Sequence, residues 1–174
     1  MGKHWKTLLL AGIATLLSPA SAGAFPPMPN GFKAGLAWDH LVRQDGGPSD
    51  GVGVLLGYRR SLADDWDVFA NVAWSGLPAR TGPASDLLSA AAGVALVLDA
   101  SDFRPEVFAG IGFLGSCATH DLPPDGMALV GLALEWRPVL AVAVALRAEY
   151  RLPFVHRDRV PSATSVALHA TVPF

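Results

Sequence analysis

Charge is what this chain has least of. Asp, Glu, Lys and Arg make up 16% of its 174 residues, against about 25% in an ordinary soluble domain. The deficit does not signal disorder, because disordered chains are poor in apolar residues and 51% of this one is hydrophobic before its 18 glycines are counted. Nor is there a basic stripe. The formal net charge is −2, which excludes the electrostatic footprint of a nucleic-acid binder. Cysteine is nearly absent. Cys117 stands alone, so no disulfide within the chain can hold the fold, and stability must come from burial and backbone pairing. Long hydrophobic runs are missing too. Beyond the N-terminal leader no stretch approaches about 18 consecutive apolar residues, and Leu87–Leu98 stops at Asp86 and Asp99. Membrane-spanning helices are thereby excluded, and an excess of apolar residues is left to be placed.

Part of the excess lies at the start. Lys3 and Lys6 precede the apolar run Leu8–Leu17, then Ser18-Pro19 and two overlapping small-x-small sites, Ala20-Ser21-Ala22 and Ala22-Gly23-Ala24. A charged start, a short apolar centre and an A-x-A site form a secretory signal peptide. Residues 1–24 are therefore expected to be removed, with cleavage after Ala22 or Ala24. A membrane anchor would need about 20 apolar residues. Without Lys3 and Lys6, 11 basic residues face 15 acidic ones, a mature net charge of −4. Residues 25–30 are read as a short N-terminal segment and 31–174 as one domain.

That domain alternates with period two, eight times over. Segments of ten to fourteen residues bounded by Gly, Pro, Asp and Ser read as strands at 31–43, 51–60, 66–75, 86–99, 105–116, 126–137, 141–152 and 163–174. The 14 prolines fall in the leader, the loops or the strand ends, where a missing N–H donor is tolerated. One face of each strand collects large apolar side chains, such as Leu36, Val54, Val72, Val94, Ile111, Leu132, Leu146 and Leu168. The other carries Gly and Ala in quantity with nearly every charge: Lys33, Asp39, Arg59, Asp67, Glu106, Glu135, Arg137, Arg147, Glu149 and Arg151.

A soluble eight-stranded barrel would alternate as well, and the polar face separates the two. A surface in water carries Lys, Glu, Thr or Ser at most positions. Here Gly35, Ala37, Gly53, Gly57, Ala73, Gly93, Gly112, Gly131 and Ala145 occupy it. Small residues with balanced charges suit a cramped lumen, which turns the aliphatic face outward into lipid. The aromatics sort accordingly. Phe32, Tyr58, Trp66, Trp136 and Phe174 fall at one rim, and Trp38, Trp74, Phe113 and Tyr150 at or towards the other. Amphipathic rings belong at membrane interfaces. Trp66 and Trp74 lie about 26 Å apart along a strand, and a tilt of about 40° brings this near the expected apolar band of about 25 Å. Short connections follow the even strands and longer Gly/Pro-rich ones the odd strands, the asymmetry of periplasmic turns and outer loops.

These features resemble the small eight-stranded outer-membrane barrels of Gram-negative bacteria, the OmpA/OmpX-like and opacity-protein-like group. The carriers are the eight alternating strands, the terminal alternation Val166, Leu168, Ala170, Val172, and Phe174 at the C-terminus. The resemblance implies an all-β, antiparallel, up-and-down transmembrane barrel with periplasmic termini. It also implies that Phe174 is read by the barrel-assembly machinery. The chain is expected to lack the peptidoglycan-binding domain of full-length OmpA-type proteins, and its loops are shorter than those of adhesive members.

Ten inward charges, five of each sign, fit internal ion pairing, because an isolated buried charge is costly. The expected function is a structural, envelope-supporting outer-membrane protein with a mostly plugged lumen; the alternative is a narrow porin-like passage for ions or small solutes. A third reading is an enzyme acting on lipid A. Barrels of that kind are similar in size and use His with Ser towards the outer leaflet. His169-Ala170-Thr171 departs from that pattern, and Ser165 stands about 13 Å along the strand from His169. His40, His156 and Asp158 near the outer rim read as solvated groups. Cys117, His120 and Asp121 offer three mixed metal ligands without a fourth. Gly110–Gly115 spells GxGxxG but lies inside a strand, not a strand–turn–helix. No catalytic residue, cofactor or metal is therefore expected. The expected partners are outer-membrane lipid and lipopolysaccharide, whose phosphates Arg157 and Arg159 are placed to meet.

Overall fold

Period-two alternation forces successive side chains to opposite faces, and a sheet with one face apolar and no edge must close. A computed structural model shows this closure. It describes residues 30–43, 47–63, 65–77, 85–98, 103–116, 124–139, 142–155, 160 and 162–174. The strands are β1 (Asn30–Arg43), β2 (Gly47–Ala63), β3 (Trp66–Leu77), β4 (Ser85–Val97), β5 (Phe103–Gly115), β6 (Asp125–Val139), β7 (Val142–Pro153) and β8 (Ser162–Pro173). They form a closed, antiparallel, up-and-down barrel in chain order. β1 seals it by pairing with β8, Leu36 opposite Leu168.

Strand ends differ from the sequence reading where local pairing overrides turn chemistry. Residues 47–50 read as loop, yet β2 begins at Gly47, because Pro48, Ser49 and Asp50 stay in register with Val42, Leu41 and His40. The His40 ring Nδ1 and Asp50 Oδ1, 2.7 Å apart, fix that extension. Residues 103–104 likewise join β5, with Arg104 opposite Glu135. Near Pro138 the β6–β7 register shifts between Trp136 and Val139, as expected where proline interrupts a ladder. The leader, residues 25–29, Cys117, His120, Asp121, His156, Arg157, Asp158 and Arg159 lie outside the described residues.

Alternation fixes what the lumen receives. On β7 the inward positions Arg147, Glu149 and Arg151 are buried while Leu146, Ala148 and Tyr150 are exposed. Inward glycines make room for large rings. A Cβ at Gly93 would come to 2.8 Å of Phe69 Cζ, and one at Gly131 would collide with Phe108.

Candidate functional site

The lumen is where chemistry gathers, and it divides into layers. Towards the end carrying Asn30 and Phe174, Arg59 on β2 is the hub. Its Nη1 donates to Glu106 Oε1 and Glu135 Oε2, both at 2.6 Å, and its Nη2 pairs with Asp67. Arg137 Nε reaches Glu135 Oε1 at 2.9 Å, and Arg104 Nη1 stands 3.9 Å from the same oxygen. All six side chains are buried, so solvent does not screen these pairs. Four strands are thereby tied across the interior.

Further along the lumen, β7 supplies a second network. Arg151 Nη1 lies 3.1 Å from Asp39 Oδ1, and its Nη2 and Nε reach Glu149 Oε1 at 2.6 and 2.7 Å. Arg147 Nε donates to Glu149 Oε2 at 2.7 Å. Ser75 Oγ donates to Asp39 Oδ2. Between the networks sits an aromatic layer. Phe69 and Phe108 meet edge to face, centroids 5.7 Å apart at 83°. The Arg147 guanidinium lies 3.7 Å from the Phe108 centroid and 4.9 Å from that of Phe69, within cation–π range. With its amide turned so that both ends are satisfied, Asn71 accepts from Arg147 Nη1 and Nη2 at 3.1 and 3.2 Å and donates to the Ala70 carbonyl at 3.0 Å.

The ten inward charges named from the sequence are all buried on the lumen wall. Nine enter these two networks. Lys33 does not. It makes no ion pair within 4 Å among the described residues. The space bounded by Lys33, Arg59, Asp67, Glu106, Phe69 and Phe108 has no room for a water molecule.

Several inward residues escaped the sequence reading. Arg104 has the same parity as Glu106 but precedes Pro105 and read as turn. Asp86 and Asp125 brace the far end of the barrel. Asp86 accepts from Trp74 Nε1 at 3.1 Å and Ser116 Oγ at 2.6 Å, and Asp125 from the Val155 amide at 3.1 Å. The larger omission is apolar. Leu41, Leu87, Leu114, Met127, Leu129 and Val160 are buried in one contiguous cluster with Phe69 and Phe108, so hydrocarbon packs the far half of the lumen around the Arg151 network.

On β8, Ser165 and His169 both face the lumen with no hydrogen bond between them. Ser165 Oγ, His169 Nδ1 and Thr171 Oγ1 have no protein partner among the described residues. His40 is paired with Asp50, a partner that sequence reasoning did not give it, since the two sit ten residues apart across the β1–β2 connection. Among the described residues no three His, Cys, Asp or Glu side chains are grouped to hold a metal ion.

Outside, the named aromatics lie on the outward face. Phe32, Trp38, Trp66, Trp74, Trp136, Tyr150 and Phe174 are exposed, and Tyr58 is half-buried. Phe174 stacks on Phe32 at 4.9 Å and leans on Tyr58 at 6.3 Å. Tyr58 Oη donates to Asn30 Oδ1 at 3.0 Å, so one aromatic cluster spans the β8–β1–β2 seam.

No protein-family model matches the chain, and no curated protein matches its sequence. Solved structures do match its shape. Neisserial surface protein A superposes with a TM-score of 0.73 at 12% identity, over 88% of this chain and 100% of that one. Ail, the attachment invasion locus protein of Yersinia pestis, gives 0.59 at 15% identity, over 83% and 97%. The outer membrane enzyme PagL gives 0.52 at 14%, over 80% and 99%. At these identities the likeness is one of architecture: the chain has the fold of the small eight-stranded outer-membrane β-barrels.

Proposed function

We propose that this chain is an exported, integral outer-membrane protein of a Gram-negative envelope, with a structural role in envelope integrity and a closed lumen. In this reading residues 1–24 are a cleaved leader and the end carrying Asn30 and Phe174 faces the periplasm. Phe174 is the assembly signal, and Arg157 and Arg159 meet lipopolysaccharide phosphates. The observation that carries the closed lumen is the packing around Arg59, Phe69 and Phe108, which leaves no space for water. Purified protein in planar bilayers should give no discrete conductance steps, and cells lacking the gene should admit detergents and bulky antibiotics. Steady conductance would replace the plug with a narrow pore. That second reading draws on the unpartnered Ser165, His169 and Thr171 down one wall of the lumen.

The role is also non-catalytic. Lipid A from cells with and without the gene should have the same mass, and a shift by one acyl chain would replace this reading with an enzymatic one.

A further inference from the structure

The outward face is not uniformly convex. Across β2 to β6 it is indented by an apolar recess of about 820 Å³, a size typical of ligand pockets. Its floor is alanine. Ala70, Ala90 and Ala92 are outward and exposed, with Ala70 opposite Ala92 and Ala90 opposite Phe113. Most of the same face elsewhere carries Leu, Val and Trp, which bury more apolar area in lipid, with Ala34, Ala109, Ala148 and Ala170 interspersed among them. Small residues here forgo that burial and leave a depression walled by large neighbours.

The geometry points to a binding groove for an acyl chain of lipopolysaccharide. No charged side chain lines the recess, and its one amide, Asn71, is already engaged by Arg147 and the Ala70 carbonyl. The occupant is therefore hydrocarbon. A second copy of the chain fits poorly, since the recess exposes far less than the roughly 800 Å² per partner of a stable interface. The side nearest the chain termini is walled by Phe32 and Tyr58, against which Phe174 packs. From the alanine floor at mid-strand the recess runs to Gly112, Gly126 and the Phe154 wall at the opposite end, the outer leaflet in the proposed orientation. Lipopolysaccharide is the lipid of that leaflet. The groove crosses four strand intervals, roughly 20 Å at about 4.8 Å each, long enough to hold one chain along its length.

This inference rests on the outer-membrane reading, which membrane fractionation checks separately. Protein extracted from outer membranes in mild detergent should retain one lipopolysaccharide by native mass spectrometry. Filling the floor with Ala90→Phe/Ala92→Phe should cut the retained fraction at least tenfold. Ala148→Phe/Ala170→Phe, on the far side of the barrel, should leave it unchanged. Both variants should keep the fast unheated gel mobility of a folded barrel, and Ala92→Leu alone gives a milder filling should the double variant fail to fold. A retained phospholipid in place of lipopolysaccharide, retention indifferent to filling, or a dimer that filling dissociates would each overturn the assignment.

Discussion

Replacing Arg59 with methionine tests whether the lumen is held by paired charge. The guanidinium meets three carboxylates, Asp67, Glu106 and Glu135, with every side chain involved at most 5% exposed. Two unit charges about 4 Å apart attract by about 4 kcal/mol at an effective dielectric of about 20, while each buried ion forfeits several kcal/mol of hydration. These terms nearly cancel while the network is whole. Arg59→Met upsets the balance, because it leaves acids that repel one another and were desolvated for a partner now gone. Removing one member of a buried pair costs about 3–5 kcal/mol. With a denaturant slope of about 2 kcal/mol/M, that is a fall of about 2 M in the urea midpoint. The assay is urea titration of protein refolded in lipid vesicles, followed by unheated gel mobility. Arg59→Lys should fall between, since an ammonium supplies charge without the fork that serves three oxygens. Adding Glu106→Gln to Arg59→Met should recover part of the loss. A loss below about 1 kcal/mol, or strict additivity of the two substitutions, would refute the reasoning.

The lumen's two seals should open only together. Phe108→Ala should cost about 3–5 kcal/mol yet pass no current in planar bilayers, because the Leu114 cluster still closes the far half; Phe108→Ala with Leu114→Ala should show conductance steps. Leu132→Arg places a cation on the outward face of mid-β6 and should destabilise the refolded barrel by about 2–4 kcal/mol, read from the same urea titration. Phe174→Ala breaks the stack on Phe32 and Tyr58 and should cost about 1 kcal/mol per lost ring contact in vitro. If Phe174 is also the assembly signal, its outer-membrane level in cells should drop further than that loss accounts for.

Most of the architecture was legible because one physical rule wrote it. A strand with lipid on one side and a cramped lumen on the other cannot slip by one residue without moving its whole apolar set inside. The parity of Val166, Leu168 and Val172 against Ser165, His169 and Thr171 therefore announced which way β8 faces. What stayed illegible is where that rule falls silent. In Leu87-Leu88 both neighbours are apolar, so alternation of polarity disappears and the inward Leu87 could not be told from its neighbour; Leu55 and Leu114 face inward only by the parity that turns Leu56 and Phe113 outward. Charges betray inward positions; hydrocarbon does not. Partners were hidden for a different reason. Pairing Arg59 with Glu106 and Glu135 joins residues 47 and 76 positions apart, and that depends on how the closed sheet brings opposite walls together.

The arrangement of the charges bears on conduction more than their number does. Around Arg59, three acids meet Arg59, Arg104 and Arg137; around Arg151, Asp39 and Glu149 meet Arg147 and Arg151. Each network is close to neutral within itself. A pathway that selects ions presents charge of one sign to an open bore, as rings of acids or of arginines do in channels. Here an entering ion would have to displace an arginine from a carboxylate in the first half of the lumen. In the second half it would meet the Arg151, Glu149 and Asp39 pairs and also shed hydration among Leu41, Leu87, Leu114 and Met127, which offer it no polar contact. The two barriers differ in kind, so a solute that could exchange with the ion pairs is the one least able to cross the hydrocarbon. Such a lumen joins the walls of the barrel, and the surface left to recognise anything is the outer one.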